Sequence, residues 1–313
     1  MRIHRHLYDI PNSDKFGAVA IGNFDGVHIG HKTVIGKAGQ YAKSNNLPWT
    51  VLTFEPHPRQ FFSKTSKNFR LTPLRSKAQL IEDLGVDLMI ILKFDTALCH
   101  CDAETFINNV LVNGVAAQHV VAGYDFHFGH KRQGDCNLLR SLGKKLGYKF
   151  TEVHAALDDD GGIYASTRVR QKLENGDPFG AKTILGHPFS ISGVVMRGEK
   201  LGRKLGYPTA NIALGSYIRP KFGIYAVKAY YEKKRYSSTL TGVANIGTRP
   251  TVCGKTELLE VFFFDFNADL YGQRLKVELL HFIRPEKNFP DLKSMVLQMA
   301  KDCEIGQAFF KNE

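Results

Sequence analysis

The sequence predicts an α/β domain built on a doubly wound, mostly parallel sheet, followed by a small antiparallel β-barrel with one C-terminal helix. Strand and helix signals alternate through about residue 155, which is typical of a parallel sheet covered by helices. Beyond Gly186 the pattern changes to short strands and turns, with one helix near the end. The 313 residues suffice for two cores. We place the boundary near residue 185, giving domains 1–185 and 186–313.

Apolar runs and stop signals define the elements of the first domain. The predicted strands are Ala18–Ile21, Trp49–Phe54, Val86–Leu92, Gln118–Ala122 and Tyr148–Val153. The predicted helices are 32–44, 74–84, 102–113 and 136–146. Gly85 and Gly114 follow two of these helices and are plausible C-caps.

Elements of the second domain are shorter and lack helical periodicity. The predicted strands are Phe189–Met196, Gly223–Tyr231, Thr239–Ile246, Leu258–Phe264 and Leu275–Ile283. One helix is predicted from about Asp291 to Cys303. Several antiparallel strands with a single helix favour a small barrel.

Composition excludes several classes of protein. Hydrophobic residues make up 43% and charged residues 23%, as in ordinary globular proteins. No apolar run reaches membrane-spanning length, and Met1–His6 lacks the apolar core of a signal peptide, so a cytoplasmic protein without a membrane partner is expected. Cys99, His100 and Cys101 have no second ligand cluster, which favours reduced thiols over a metal site.

The formal net charge of +12 favours anionic partners. Both nucleotides and nucleic acids fit this requirement. The basic residues are dispersed and form no long arginine-rich tract. A generally basic surface is therefore an equally good interpretation, and charge does not decide between them.

The segment from Gly22 to His31 is the strongest candidate site. It joins a buried strand to a helix, so its glycines would let the backbone approach a ligand, and the helix dipole would attract an anion. His28 and His31 are three residues apart at the start of the helix and can face the same phosphate. The alternative is a tight turn with merely exposed histidines.

Two further polar loops follow predicted strands. The loop Thr53–Phe62 contains two prolines and ends in aromatic rings, which suits a flat heterocycle. The loop Gly123–Gly134 offers a carboxylate, two alternating aromatic residues and a basic rim. Taken singly, such aromatic residues can equally close the end of the core.

A second possible phosphate site lies at the start of a short helix. Ser166 or Thr167 can cap this helix, and together with Arg168 they can hold a leaving pyrophosphate. An ordinary N-cap with solvated arginines is the alternative.

The chemical centre of the second domain is the segment Gly193–Asn211. Its glycines and basic residues suit a loop that covers phosphates, although the spacing is not that of a Walker P-loop. Thr209 and Asn211 are two apart, so in an extended segment both can present oxygens to Mg²⁺. Glu260 lies within an apolar strand, where it either faces outward or acts as a general base.

Specific motifs then identify a resemblance. The string His28–His31 resembles the signature of the nucleotidylyltransferase superfamily, whose Rossmann-like fold suits the first domain. Both halves together resemble the bacterial bifunctional riboflavin kinase/FMN adenylyltransferase family, also called prokaryotic FAD synthetases. The segments that carry this resemblance are Gly22–His31, Thr53–Pro58, Gly123–Gly134, Ser166–Arg170, Gly202–Asn211, Gly242–Thr251, Asp269–Gly272 and Arg284–Glu286.

The resemblance implies a role for each matching residue. The implied catalytic residues are His28, His31 and Glu260. The implied ATP-binding residues are Gly22, Asn23, Phe24, Asp25, Gly30, Ser166, Thr167, Arg168, Gly198, Gly202, Lys204, Thr209 and Asn211. The implied flavin-binding residues are Pro56, Pro58, Phe62, Asp125, Phe126, Phe128 and Arg284. Thr209 and Asn211 are the implied Mg²⁺ ligands.

The implied function is flavin cofactor biosynthesis. The enzyme would phosphorylate riboflavin to FMN and adenylylate FMN to FAD, with ATP as co-substrate, Mg²⁺ as cofactor, small molecules as its partners and no nucleic acid bound. The sequence leaves the oligomeric state unknown. Three positions depart from the family pattern, namely Ala165, Phe262 and Gly306–Gln307. Two rival functions remain, a monofunctional adenylyltransferase and an RNA-binding or tRNA-charging protein.

Overall fold

The computed structural model describes residues 1–63, 68–197, 205–231, 239–251 and 254–312, with only the backbone described at 249–251 and 254–255. The chain divides into two compact units. The first unit comprises Met1–Lys67 and Thr72–Ala165, and the second comprises Asn68–Leu71 and Ser166–Glu313. Each unit contains its own six-stranded sheet.

The sheet of the first unit is entirely parallel, as the alternating pattern predicts. Its strands are β1 (Arg2–His4), β2 (Ala18–Ile21), β3 (Trp49–Glu55), β4 (Leu88–Lys93), β5 (His119–Gly123) and β6 (Lys149–Val153). Their spatial order is β1-β4-β3-β2-β5-β6, with every pair parallel. The order reverses between β2 and β5, and such a switch point is where doubly wound sheets bind ligands.

Helices connect these strands. They are α1 (Ile29–Asn45), α2 (Pro58–Phe62), α3 (Leu74–Glu82), α4 (Thr96–His100), α5 (Ala103–Phe106) and α6 (Cys136–Leu146). A wider helical turn with i→i+5 bonds continues α5 over Ile107–Val112. Short 3₁₀ turns occur at Leu7–Asp9, Asn12–Asp14 and His130–Arg132. The edge strand β1 and the short helices α2 and α4 were not predicted, because three to five residues carry little periodicity.

The parallel sheet is buried on both faces. Alternate residues of β2 belong to different cores: Val19 and Ile21 pack with one set of buried side chains, Ala18 and Ala20 with the other. Because both faces are covered, the strand reads as a continuous apolar run rather than an alternating one. This explains why β2 is easy to find in the sequence.

The second unit contains an antiparallel sheet that is nearly closed into a barrel. Its strands are β7 (Ser190–Val194), β8 (Thr209–Ala213), β9 (Gly223–Tyr231), β10 (Thr239–Thr251), β11 (Gly254–Phe263) and β12 (Arg274–Pro285). Their order is β7-β12-β9-β10-β11-β8. The edges approach each other just beyond β7, where the backbone N–H of Met196 donates to the carbonyl of Asn211 at 2.8 Å.

Three helices belong to the second unit in its described part. They are α7 (Ser166–Glu174), α8 (Pro178–Leu185) and α9 (Leu292–Asn312). The prediction for the last helix was too short. Gly306 lets α9 continue against β10, since a Cβ there would lie 2.6 Å from Val243 Cγ1, and Phe309 stacks on His281 at 5.4 Å.

Helices α7 and α8 group with the second unit in the structure. The predicted boundary near residue 185 assigns them to the adenylyltransferase domain instead. The boundary between the two functions at residue 185 stays a prediction.

Candidate functional site

The histidine turn lies at the carboxyl end of β2, the central strand at the switch point. His28 is the N-cap of α1, and its Nδ1 accepts a hydrogen bond from the backbone N–H of His31 at 3.3 Å. Because Nδ1 of His28 accepts this bond, it carries no proton, and the proton of the imidazole is on Nε2. The two imidazoles stack with centroids 3.5 Å apart. The structure thus brings both histidines together at the positive end of the α1 dipole.

Close packing in this turn requires its glycines. A Cβ on Gly22 would lie 2.9 Å from the buried ring of Phe24, which in turn contacts the edge of His31. A Cβ on Gly30 would lie 3.2 Å from the ring of His28. Phe24 is only 2% exposed, so its buried ring packs against His31 from the protein interior. Its implied contact with ATP stays a prediction.

The backbone of the same turn is strained. Phe24 and Val27 have φ values of +49° and +43°, which a β-branched residue such as Val27 rarely adopts. The buried carboxylate of Asp25 helps to hold this conformation. It accepts from the backbone N–H of Thr72 at 3.0 Å, and the Thr72 hydroxyl accepts from the N–H of Gly26 at 2.8 Å. Asp25 therefore fixes the turn, and its proposed contact with ATP is untested.

A buried lysine joins this turn to the next strand. Lys77 of α3 is 0% exposed, and its Nζ donates to the carbonyl of Asn23 at 2.8 Å and lies 3.3 Å from the hydroxyl of Thr53. It was missed because a lysine at helical spacing is usually a solvated residue. The available signal was its position: Lys77 is four residues before the buried Ile81, on the apolar side of the helix.

Replacing Lys77 by Met should selectively impair the FAD formation that the sequence resemblance implies. The change keeps the length of the side chain but removes the donor that holds Asn23, a bond to a charged group worth about 1.5–3 kcal/mol. We expect kcat for conversion of FMN to FAD to fall at least about tenfold, with riboflavin phosphorylation retained. Steady-state assays of both reactions check this. The control is Lys43→Met, an exposed lysine of α1; equal kcat values for the two variants would contradict the role of Lys77.

The two predicted flavin loops flank the histidine turn. They follow β3 and β5, which are the two neighbours of β2 in the sheet. Because parallel strands end at the same edge, all three motifs share one rim of the first unit. The sequence predicted this convergence, and the strand order explains it.

The aromatic residues of these loops differ in exposure. Phe126 stacks on Phe128 with centroids 5.6 Å apart, and Phe128 is buried. Phe62 is 65% exposed and contacts Phe94 at 5.8 Å. Phe128 thus also closes the core, as the alternative interpretation expected. Exposed rings such as Phe62 remain candidates for flavin contact.

The other predicted residues of these loops occupy the same rim. Pro56 follows a cis peptide bond after Glu55, and Pro58 is the first residue of α2. Asp125 is exposed just after β5. Their contacts with FMN stay predictions.

The predicted pyrophosphate residues Ser166, Thr167 and Arg168 form the first turn of α7. That helix is part of the second unit. Their place opposite the phosphates of ATP stays a prediction.

The candidate kinase site is a row of polar residues across three strands of the second unit. Asn211 of β8 pairs in register with Glu260 of β11, and Glu260 pairs with Asn245 of β10. Residues paired in this way project from the same face of a sheet, with Cβ atoms about 4.5–5.5 Å apart. Asn211 is 5% exposed although it is polar.

The oxygens in this row suit a hard cation. In the part of the chain that the structure describes, the Oδ1 atoms of Asn211 and Asn245 are buried and accept no hydrogen bond. Burial and the nearby charge of Glu260 raise the pKa of Glu286. Two carboxylates that repel each other beside two amide oxygens favour binding of a divalent cation. The residues present therefore fit Mg²⁺.

Thr209 lies on the same face of β8 as Asn211, as their spacing predicts, because side chains alternate along a strand. Its partner in the pairing is Phe262, the departure from the family pattern, whose ring contacts Tyr207 at 5.1 Å. Phe262 therefore fills an aromatic contact and leaves the row at Glu260 intact. The predicted phosphate-loop residues Gly198, Gly202 and Lys204 lie outside the described residues.

Arg284 is held by an acidic partner. Its Nε and one terminal nitrogen donate to the two carboxylate oxygens of Asp302, at 2.8 and 2.6 Å, and Asp302 is 3% exposed. This bidentate pair ties β12 to α9. The implied contact of Arg284 with flavin is untested, and the structure gives it an anchoring role.

Asn245 and Glu286 had no assigned role in the sequence analysis. Both lie within segments that carry the family resemblance, but only the strand register shows that Asn245 meets Glu260. Among the described residues there is no group of three or more His, Cys, Asp or Glu side chains placed to hold a metal ion. The row at Glu260 is not such a group, because half of its side-chain oxygens belong to the amides of Asn211 and Asn245.

No helix in the described parts of the chain has the length and hydrophobicity needed to span a membrane.

Two family models match the chain, one over each of the two candidate sites. A family model for FAD synthetase matches residues 10–168, and one for riboflavin kinase matches residues 185–310. The bifunctional riboflavin kinase/FMN adenylyltransferase of Haemophilus influenzae is 40% identical over 312 residues, covering 100% of both chains. The protein of that name from Escherichia coli is 38% identical, covering 99% of this chain and 98% of its own.

A solved structure supports the same fold over both units. The crystal structure of a macrolide-efflux protein from Streptococcus pneumoniae has a TM-score of 0.84 and 27% sequence identity, covering 97% of this chain and 98% of that one. The word efflux is part of the name of that protein and describes no property of this chain. From its motifs, its two family matches and its full-length relatives, the chain belongs to the bifunctional riboflavin kinase/FMN adenylyltransferase family.

Proposed function

We propose that this chain makes FAD in two steps, using a separate site for each. The second unit phosphorylates riboflavin to FMN, and the first unit transfers AMP from ATP to FMN and releases pyrophosphate. One observation carries the proposal: a stacked histidine pair at a helix N-terminus and an Asn–Glu–Asn row across three strands occur in the same chain. The full-length family match supports both activities.

The adenylyl transfer would use electrostatic stabilisation. A phosphate oxygen of FMN attacks the α-phosphorus of ATP, and the bond to pyrophosphate breaks. His28 would donate its Nε2–H to a phosphate oxygen, and His31 would lie beside it. The strained turn holds both rings before the substrate binds, so the charge that develops meets donors already in position.

The phosphoryl transfer would use Glu260 as general base. Its carboxylate takes the proton of the riboflavin 5′-hydroxyl as that oxygen attacks the γ-phosphorus of ATP, and ADP leaves. Thr209 and Asn211 would hold Mg²⁺, and Asn245 faces the same point. The metal neutralises charge on the phosphates when it is bound.

The two rival functions receive less support. A monofunctional adenylyltransferase would need an inactive barrel, yet the row at Glu260 is complete despite Phe262. No geometric observation in the described residues favours RNA binding. Restriction to small-molecule partners and a cytoplasmic location stay predictions.

Chromatography of flavins tests the proposal. Purified protein with riboflavin, ATP and Mg²⁺ should yield FMN and FAD, and protein with FMN and ATP should yield FAD. FAD formation only from supplied FMN would show an inactive barrel. No conversion in either mixture would overturn the enzyme function and favour RNA binding, which strongly salt-dependent RNA affinity would reveal.

A further inference from the structure

The first unit contains a basic cavity that neither catalytic step uses. Its volume is about 690 Å³, within the range of about 300–1,000 Å³ that small-molecule sites occupy. His119 and Lys149, the first residues of β5 and β6, line it together with residues of α1 and α6. The basic cavity is lined by Lys37, Gln40, Tyr41, Ser44, His119, Arg140, Lys144, Tyr148, Lys149, Phe150 and Thr151.

The charges around the basic cavity are not balanced. Of its four cations, Arg140 pairs with Glu152 at 2.5 Å. Within the described residues, no carboxylate forms an ion pair with Lys37, Lys144 or Lys149. Three positive charges therefore remain, about the number needed to neutralise a diphosphate or a triphosphate.

His119 is the buried histidine of the basic cavity. It is 5% exposed, and its Nε2 lies 2.8 Å from the hydroxyl of Thr151. Burial, with added repulsion from Lys149 and Lys37, lowers its pKa from 6.5 to about 4. The imidazole is thus neutral at physiological pH, so it acts as a hydrogen-bonding group of the basic cavity and adds no further positive charge.

Aromatic residues hold the cations in position. Lys149 Nζ lies 5.4 Å from the centroid of the Tyr41 ring, and the guanidinium of Arg140 lies 5.6 Å from that of Phe150. The edge of His119 contacts Tyr41 at 4.0 Å. The cations cover the faces of these two rings, so a nucleobase cannot stack on them. The residues that line the basic cavity therefore favour an anion that accepts hydrogen bonds.

We propose that the basic cavity binds an oligophosphate anion, held by Lys37, Lys144 and Lys149. This site goes beyond the proposed function, because it lies at the opposite end of the strands from the histidine turn. Five residues of β5 separate the two ends by about 13 Å. The anion can be free pyrophosphate or triphosphate, or the phosphate chain of a nucleotide.

Lysine footprinting on the full-length protein tests the proposal without any turnover. Lysines are acylated with and without inorganic triphosphate, and mass spectrometry measures the rate at each position. We expect slower modification of Lys37, Lys144 and Lys149. Lys145 is the internal control, because it neighbours Lys144 on α6 but does not line the basic cavity. Equal protection of Lys145, or none at the three lysines, would overturn the proposal.

A second measurement uses the double variant Lys37→Gln/Lys149→Gln, with Lys145→Gln as the matched control. Calorimetric titration measures the affinity of the basic cavity for inorganic triphosphate. We expect this affinity to be at least about tenfold weaker in the double variant than in the wild type. The control should bind as wild type, and FAD formation should stay unchanged in both. Parallel titrations with pyrophosphate and with ADP distinguish a free anion from a nucleotide. An unchanged affinity of the double variant would contradict the site.

Discussion

His31→Ala is expected to lower the rate of FAD formation from FMN by about 10²–10³-fold and to leave riboflavin phosphorylation unchanged. The imidazole lies at the N-terminus of α1, stacked on His28, where the proposed mechanism places the charge that develops on the transferring phosphate. The cap of α1 does not depend on the His31 side chain. Nδ1 of His28 accepts from the backbone N–H of His31, and alanine has the same N–H. The variant should therefore fold.

Separate assays of the two reactions measure this effect. His6→Ala is a suitable control, since it removes an exposed imidazole next to β1, three strands away from β2. Its FAD formation should match that of the wild type. If His31→Ala lost both activities while remaining folded, the two sites would not be independent.

The reverse pattern is expected for Glu260→Gln. Replacing the carboxylate by an amide of the same shape removes the proposed general base and should slow FMN formation by about 10²–10⁴-fold. FAD formation from supplied FMN should persist, because the proposed adenylyl transfer relies on the histidine turn and not on Glu260. The assay compares initial rates from riboflavin and from FMN at saturating ATP.

Two variants sharpen this test. Glu257→Gln removes a carboxylate from the opposite face of the same strand β11, where Glu257 pairs with Arg219 at 2.6 Å, and should keep kinase activity. Asn211→Ala should also block FMN formation at ordinary Mg²⁺ concentrations, and added Mg²⁺ should restore part of the rate, because a proposed metal ligand is lost. Wild-type FMN formation by Glu260→Gln would show that another group accepts the proton.

Local sequence was sufficient for the main elements and the identity of the motifs. The continuous apolar run of β2, the glycines around His28 and the change from mixed to all-β pattern near residue 186 are all short-range signals. The order of the parallel strands was not predicted. That order places the loops after β3 and β5 on either side of the histidine turn, and only long-range pairing determines it.

Side chains that act between distant segments are the ones that sequence reasoning missed or assigned differently. Lys77 is 54 residues from Asn23, and Arg284 is 18 residues from Asp302. A lysine or arginine has the same local pattern whether it is solvated or paired, so only the folded environment distinguishes the two.

The sequence by itself determined the two-domain architecture and the family, because these depend on periodicity and on short motifs. The tertiary structure decided that Asn245 joins Asn211 at Glu260, that Asp25 holds the turn through Thr72, and that three lysines face one cavity. These depend on strand register and on contacts between segments far apart in the chain. Burial in a shared environment gives such residues their chemical role, and no local pattern records it.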